Sequence, residues 1–157
     1  MQTMIRHLDD SSATRLLGEV IARAAVPGSV LTLHGDLGAG KTTLARGMLH
    51  GLGFLGAVKS PTYSLVEEYP LPQCFFYHFD FYRMRDPAEW DDSGLQDYFR
   101  ANALCVIEWA EKAGDRLPPV DLALTLTLAD QDENARTATI KALTPRGETW
   151  LAKIVQG

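Results

Sequence analysis

A run of residues in the first third of the chain has the composition and spacing of a phosphate-binding loop. Residues 35–43 read Gly-Asp-Leu-Gly-Ala-Gly-Lys-Thr-Thr and match the pattern G-x-x-x-x-G-K-[ST]. Glycines let the backbone approach closely enough for its N–H groups to converge on phosphate oxygens. We expect the Lys41 amine to reach the β- and γ-phosphates of a nucleotide and the Thr42 hydroxyl to bind Mg²⁺. The residues predicted to contact the nucleotide are Asp36, Leu37, Gly38, Ala39, Gly40, Lys41, Thr42 and Thr43.

Two acidic residues follow apolar runs that are typical of buried strands. Asp80 comes directly after residues 74–79, and Glu108 comes directly after residues 103–107. Ligands of α/β sheets bind at the carboxyl ends of the strands, and Mg²⁺ prefers oxygen ligands. We expect one of the two carboxylates to bind Mg²⁺ while the other aligns a water or orients the metal's ligands. Ordinary charged residues at strand ends are the alternative. The predicted catalytic residues are Lys41, Asp80 and Glu108.

The first long loop after the phosphate-binding loop and its helix has the sequence Ser60-Pro61-Thr62. Nucleotide-dependent switches place a Ser or Thr that senses the γ-phosphate and Mg²⁺ in a loop of this kind. Pro61 disfavours a helical conformation at Ser60, so a plain turn is the alternative.

His78 and Trp109 lie next to the two predicted carboxylates and have more than one interpretation. His78 precedes Asp80 by two residues, so both side chains lie on one face of a strand. A transition-metal site is one alternative there, but neither Cys74 nor His34 has a familiar ligand spacing. Trp109 either packs near the nucleotide or lies in the core, and the sequence leaves both open.

The elements that must position these residues alternate between strand and helix patterns. The loop lies between a β-branched, apolar run at residues 30–34 and a helical pattern at residues 42–49. The apolar run at residues 103–107 is typical of a strand buried on both faces of a parallel sheet. Two antiparallel hairpins are predicted, one with strands at residues 63–69 and 73–79 and one at residues 122–142. A further strand is predicted at residues 4–8. Helices are predicted at residues 13–25 and 95–99, and two more are predicted to begin at Pro87 and Pro145.

Composition and charge limit the classes of protein to be considered. At 157 residues, 46% hydrophobic and 22% charged, the chain is predicted to form one globular domain, residues 1–157. Its net charge of −5 disfavours independent binding to a nucleic-acid backbone. No apolar run approaches the roughly 18 residues of a membrane span, and the N-terminus lacks a signal-peptide pattern. The two cysteines fit reduced, buried thiols. We therefore expect a cytoplasmic protein with no membrane contact.

Four segments together resemble the TsaE (YjeE) family of bacterial P-loop ATPases. Residues 35–43 are similar to the family's P-loop, and residues 60–66 to its S-P-T-[FY] segment. Residues 78–83, His-Phe-Asp-Phe-Tyr-Arg, resemble its H-x-D-x-Y-R segment, and residues 106–110 its V-E-W strand end. The resemblance covers most of the chain and is weakest at residues 86–99 and in the C-terminal hairpin.

The resemblance implies a fold and a set of ligands. The fold would be α/β, a single-domain three-layer P-loop NTPase fold whose mixed sheet has a parallel centre and antiparallel flanking strands and hairpins. The nucleotide would be ATP, with Thr42 and Glu108 as Mg²⁺ ligands and Asp80 close to the metal. Thr14 and Arg136 lie where the family contacts the nucleotide. The residues expected to respond to nucleotide state are Ser60, Pro61, Thr62, His78, Tyr82, Arg83 and Trp109.

The resemblance also implies a function. The chain would be a Mg²⁺-dependent ATPase subunit, weak alone, that supports threonylcarbamoyladenosine modification of tRNA together with the TsaB and TsaD proteins. It would meet tRNA only indirectly. A small-molecule or nucleoside kinase of the P-loop type is the alternative, although only Lys112 and Arg116 follow Glu108 closely, which is few basic residues for a lid. A module that binds ATP only for structural reasons is a third interpretation.

Overall fold

A seven-stranded mixed sheet lies at the centre of the structure, a computed structural model that describes residues 2–59, 61, 65–130 and 132–157. The strand order is β1-β7-β6-β2-β5-β4-β3. The strands are β1 Thr3–Leu8, β2 Val30–His34, β3 Val66–Pro70, β4 Phe75–Asp80, β5 Ala103–Glu108, β6 Leu122–Ala129 and β7 Asp132–Ala142.

Parallel pairing is confined to the middle of the sheet. β2 pairs in parallel with both β5 and β6, and β4 pairs in parallel with β5. The pairs β1–β7, β6–β7 and β3–β4 are antiparallel. The predicted mixed sheet with a parallel centre and antiparallel flanks is therefore confirmed, as are both hairpins.

Helices cover both faces of the sheet and give three layers. On one face lie α1 Ser11–Arg23, α2 Lys41–Gly51 and α4 Pro145–Gln156, whose apolar side chains join one core. On the other face lie α3 Ala88–Ser93 and two 3₁₀ segments, Leu95–Tyr98 and Ala110–Arg116, around a second core. All of β5 is buried, and its alternate side chains enter the two cores in turn. This explains why residues 103–107 are continuously apolar.

Two glycines let α1 and α2 approach each other almost backbone to backbone. A Cβ at Gly18 would lie 2.3 Å from the Leu44 carbonyl oxygen, and one at Gly47 would lie 2.1 Å from the Arg15 carbonyl oxygen. No real Cβ contact is that short, so the helix spacing requires glycine at both positions. The contact matters for the site because α2 begins at the end of the phosphate-binding loop.

A buried carboxylate holds the start of β2. Asp121 accepts a hydrogen bond from the Val30 backbone N–H at 2.9 Å and another from the Thr144 hydroxyl at 2.6 Å. The Arg146 Nε atom lies 3.3 Å from the same carboxylate. Thr144 in turn caps α4 by accepting a hydrogen bond from the Gly147 N–H. Asp121 thus ties the strand that leads into the loop to the C-terminal helix.

The ends of several elements differ from the sequence-based expectations. β4 runs on to Asp80, because Asp80 still pairs with Glu108 in the sheet register. β7 begins at Asp132, whereas we expected a turn up to residue 135, because the exposed end of this hairpin lacks an apolar alternation. β3 begins at Val66, and the preceding predicted strand residues 63 and 64 lie outside the described residues.

Both cysteines are free thiols, as expected, but Cys74 is half-buried where a buried thiol was expected. Cys105 is buried in β5, and burial raises the pKa of its thiol to about 12. Burial also raises the pKa of Cys74. Among the described residues, no helix has the length and apolar character needed to cross a membrane.

We predict that Gly47→Ala destabilises the protein although alanine favours helices more than glycine does. The new methyl group must separate α1 from α2, and overpacking of this kind costs about 1–3 kcal/mol or more. Urea unfolding should show the loss. The control Arg46→Ala changes the neighbouring exposed residue of α2 and should leave the free energy of unfolding within about 0.5 kcal/mol of the original value. Equal stability of the two variants would contradict the proposed close contact.

Candidate functional site

The glycine-rich loop connects β2 to α2, as the sequence predicts. Its glycines Gly35, Gly38 and Gly40 have φ angles of 147°, 84° and 107°, which L-residues with side chains rarely adopt. A Cβ at Gly35 would also lie 2.7 Å from the Leu126 carbonyl oxygen. Gly40 is the N-cap residue of α2, so the loop ends at the N-terminus of a helix, where N–H groups and the helix dipole attract anions.

Lys41 is buried at the start of α2, and its amine contacts three groups. The Nζ atom donates a hydrogen bond to the Gly35 carbonyl oxygen at 2.8 Å. It lies 3.6 Å from Oε1 of Glu108 and 5.2 Å from the centre of the Trp109 ring. The structure therefore brings together the predicted loop lysine and one predicted carboxylate.

Glu108 lies between two basic side chains. Its Oε2 atom accepts a hydrogen bond from Nε2 of His78 at 2.7 Å, while Oε1 faces Lys41. Burial by itself raises the pKa of Glu108, but the hydrogen bonds and charge interactions with His78 and Lys41 outweigh it and hold the pKa below its ordinary value. The carboxylate is thus kept ionised although it is largely buried, as a metal ligand must be.

Asp80 lies beside Glu108 on the neighbouring strand. The two residues are direct partners in the parallel pairing of β4 with β5. Asp80 accepts a hydrogen bond from the Tyr82 backbone N–H at 2.9 Å. Burial raises the pKa of Asp80, and the negative charge of Glu108 adds to the rise. Two adjacent strands thus end in two carboxylates with oppositely shifted pKa values.

Trp109 follows Glu108 in a left-handed conformation, with φ at 58°. It is the one non-glycine residue with a positive φ in the described part of the chain, and this conformation costs of order 1–3 kcal/mol. The turn brings its ring against Lys41 and to 5.0 Å from the ring of Tyr82. Trp109 therefore lines the candidate site and also packs against the second core, so both predicted environments are present.

A cleft of about 750 Å³ runs along this side of the loop. Its lining includes predicted residues from all four family-like segments: Asp36, Leu37, Gly38, Gly40, Lys41, Thr42, Thr43, Pro61, Asp80, Tyr82, Arg83, Glu108 and Trp109. His78 lies behind Glu108. Ser60 and Thr62, which we expected to respond to the nucleotide, lie outside the described residues.

A second cavity of about 270 Å³ adjoins the loop and shares Gly38, Gly40 and Thr43 with the cleft. Thr14 and Arg136 both line it, next to the backbone of residues 38–40. Asp10 and Asn134 line it too, and sequence reasoning did not select them. Asp10 was recognisable only as a helix cap, a role it has through the Ala13 N–H. Asn134 carries no sequence signal that points to the loop.

The donor atoms at the site fit a hard divalent cation. The Asp80 and Glu108 carboxylates and the Thr42 hydroxyl line one cleft and are all oxygen donors, which Mg²⁺ prefers. The transition-metal alternative receives no support. In the described ranges of the chain, no three His, Cys, Asp or Glu side chains form a metal-binding group, and His78 instead contacts Glu108.

The fold and this loop together define an α/β protein of the P-loop class. Comparisons with known proteins identify the family within that class. A model described as "Threonylcarbamoyl adenosine biosynthesis protein TsaE" matches residues 8–138. The chain therefore belongs to the TsaE family.

Individual relatives agree with this assignment. The chain is 41% identical to a protein of Haemophilus influenzae named tRNA threonylcarbamoyladenosine biosynthesis protein TsaE, over 85% of this chain and 88% of the relative. It is 42% identical to the Bacillus subtilis protein of the same name, over 80% and 78% of the two chains. The crystal structure of Bacillus subtilis YdiB superposes with a TM-score of 0.84 at 31% identity, over 99% of this chain and 95% of that chain.

We predict that His78→Leu destabilises the protein more than His78→Gln does. Leucine removes the 2.7 Å hydrogen bond to the buried Glu108 carboxylate, and an unpaired partner of this kind costs about 1–3 kcal/mol. Glutamine retains an N–H donor at a comparable reach from the backbone. Urea unfolding of both variants at neutral pH measures the difference. Equal losses would mean that His78 acts by filling space and not by pairing with Glu108.

Proposed function

We propose that this protein is an ATP-binding, Mg²⁺-dependent ATPase subunit that serves threonylcarbamoyladenosine modification of tRNA in the cytoplasm. The observation that carries the proposal is the placement of Lys41 beside Glu108, 3.6 Å apart, in a cleft bounded by the glycine-rich loop. Phosphate binding requires a lysine at the start of the P-loop helix, and metal binding requires an ionised carboxylate beside it. The tRNA pathway rests on membership of the TsaE family.

The residues have distinct roles in this proposal. The loop N–H groups and Lys41 bind the phosphates, and Thr42 and Glu108 hold Mg²⁺ with Asp80 close to it. Bound there, Mg²⁺ would neutralise charge on the phosphate oxygens. The hydrogen bond from His78 keeps the Glu108 carboxylate oriented towards the cleft when Lys41 turns to the phosphates. Asp80, the partner of Glu108 in the pairing of β4 with β5, would accept a proton from an attacking water.

The nucleoside part of ATP is proposed to lie on the side of the loop that carries the second cavity. Thr14 and Arg136 line that cavity, whereas Asp80, Glu108 and Thr42 line the larger cleft. The triphosphate would then lie along the loop between the two. This arrangement leaves the larger cleft open next to the γ-phosphate.

The exposed side of the larger cleft is the proposed contact region for the TsaB and TsaD proteins. Leu37 is fully exposed at the cleft, Tyr82 is largely exposed, and Arg83 is exposed beside them. Of these, tyrosine and arginine belong to the residue types that are enriched in protein interfaces. A contact next to the γ-phosphate would let the nucleotide state control the contact with the partners.

The kinase alternative has less support. A kinase lid carries several arginines, whereas Arg83 is the one arginine that lines the larger cleft in the part of the chain that the structure describes. Two assays separate the functions: an ATPase releases phosphate into solution, whereas a kinase transfers it to a nucleoside or a small metabolite.

We predict that Lys41→Ala lowers the affinity for Mg·ATP about ten- to a hundredfold. The variant loses a charged hydrogen-bond donor to the phosphates, and such bonds contribute about 1.5–3 kcal/mol. Isothermal titration calorimetry measures the change. Lys153→Ala, which removes an exposed lysine of α4, is the control and should bind like the unaltered protein. Retained tight binding in Lys41→Ala would contradict the P-loop assignment.

We predict that Glu108→Gln still binds the nucleotide but loses Mg²⁺-dependent hydrolysis by about a hundredfold or more. The amide has nearly the same shape and lacks the negative charge. Phosphate release should be measured with and without TsaB and TsaD, with the exposed Glu111→Gln as a control. If TsaB and TsaD fail to stimulate the unaltered protein, the module that binds ATP only for structure is the better interpretation.

A further inference from the structure

Arg136 connects the last hairpin to the phosphate-binding loop through main-chain hydrogen bonds. Its Nε atom donates to the Ala39 carbonyl oxygen at 3.1 Å, and Nη2 donates to the Gly38 carbonyl oxygen at 3.2 Å. Its Nη1 atom donates to the carbonyl oxygens of Glu133 at 2.7 Å and Ala135 at 2.9 Å. The side chain therefore joins two segments that are nearly a hundred residues apart in the sequence.

These contacts leave the guanidinium little capacity for a ligand. A guanidinium has five N–H donors, and four hydrogen bonds to backbone oxygens are already formed. Among the described residues, Arg136 forms no ion pair with a carboxylate, so its partners are dipoles of the backbone. An arginine used mainly as a phosphate ligand would instead direct its planar fork of donors at the ligand.

The two loop carbonyls determine the direction of the loop's N–H groups. In a trans peptide, the C=O and the N–H of the same unit point in opposite directions. Holding the Ala39 carbonyl towards Arg136 therefore turns the Gly40 N–H away from it. The Ala39 N–H, in the same peptide unit as the Gly38 carbonyl, donates within the loop to the Asp36 carbonyl oxygen at 3.0 Å. The glycines at 38 and 40 give the backbone wide conformational freedom, and Arg136 adds support from outside the loop.

We propose that Arg136 is a positioning residue that holds the loop in its phosphate-binding conformation and acts on the nucleotide through the loop. This inference rests on the proposed function, because it presumes that residues 35–43 bind a polyphosphate. Arg136 belongs to β7, whose hairpin with β6 ends beside the loop. The hairpin thereby becomes part of the phosphate site without contacting the phosphates.

The test compares two variants with two ligands. Arg136→Lys keeps the positive charge but loses the fork that reaches both carbonyls, and Arg136→Gln loses both. Lys141→Gln removes an exposed charge from the same strand and is the control. Calorimetric titrations with Mg·ATP and with Mg·tripolyphosphate, which lacks the nucleoside, give the affinities, and thermal unfolding shows that each variant is folded at the temperature of the titration.

The proposal expects Arg136→Lys and Arg136→Gln to weaken binding of both ligands by a similar factor, about tenfold. Hydrogen exchange of the Ala39 amide, which donates to the Asp36 carbonyl oxygen, should become faster in both variants, and Lys141→Gln should match the unaltered protein in every measurement. Wild-type affinity in Arg136→Lys would overturn the proposal in favour of a direct charge contact with phosphate. A loss confined to ATP would overturn it in favour of a contact with the nucleoside. If the unaltered protein binds neither ligand, the proposed function itself is wrong, and the inference falls with it.

Discussion

The ionised carboxylate of Glu108, buried at the end of strand β5, is the constraint around which the site is built. An isolated buried charge is too costly to persist, so it must have partners. Those partners come from two other elements, His78 of β4 and Lys41 of α2. His78 can reach the carboxylate only if β4 keeps its register with β5, and Lys41 can reach it only if α2 keeps its position. The pairing of β4 with β5 and the position of α2 therefore determine whether the carboxylate is compensated.

The loop and the helix it enters depend on close approaches that only glycine permits. Gly35 passes close to the Leu126 backbone, and Gly47 places α2 against the backbone of α1. Asp121 holds the other end of β2 by accepting a hydrogen bond from the Val30 N–H. The loop is thus supported from both ends of the strand before it and from the helix after it. Such support is what a preorganised phosphate site needs, because a loop that had to be ordered on binding would lose affinity.

Much of the fold was accessible from local patterns. The strand–loop–helix unit, both hairpins and the buried strand before Glu108 were predicted from hydrophobic periodicity and turn residues, and the structure confirms them. The errors fell at strand ends, such as the extension of β4 to Asp80 and the early start of β7. A strand end is set by pairing with its neighbour, and the residues themselves carry little signal for it. A helix start, by contrast, has a local hydrogen-bonding requirement, which Asp10 meets for α1.

The sequence by itself determined which chemical groups the site has. The spacing of residues 35–43 and the acids after two apolar runs follow from requirements that act within a few residues of chain, so they are readable without coordinates. The tertiary structure alone decided how these groups are paired. Three contacts show this: His78 binds Glu108, the Trp109 ring covers Lys41, and Arg136 donates its hydrogen bonds to the loop carbonyls. Each of them joins neighbouring strands or segments that are distant in the sequence. Such contacts depend on strand order and register, which local sequence patterns do not specify, because the burial of side chains from the whole chain selects them.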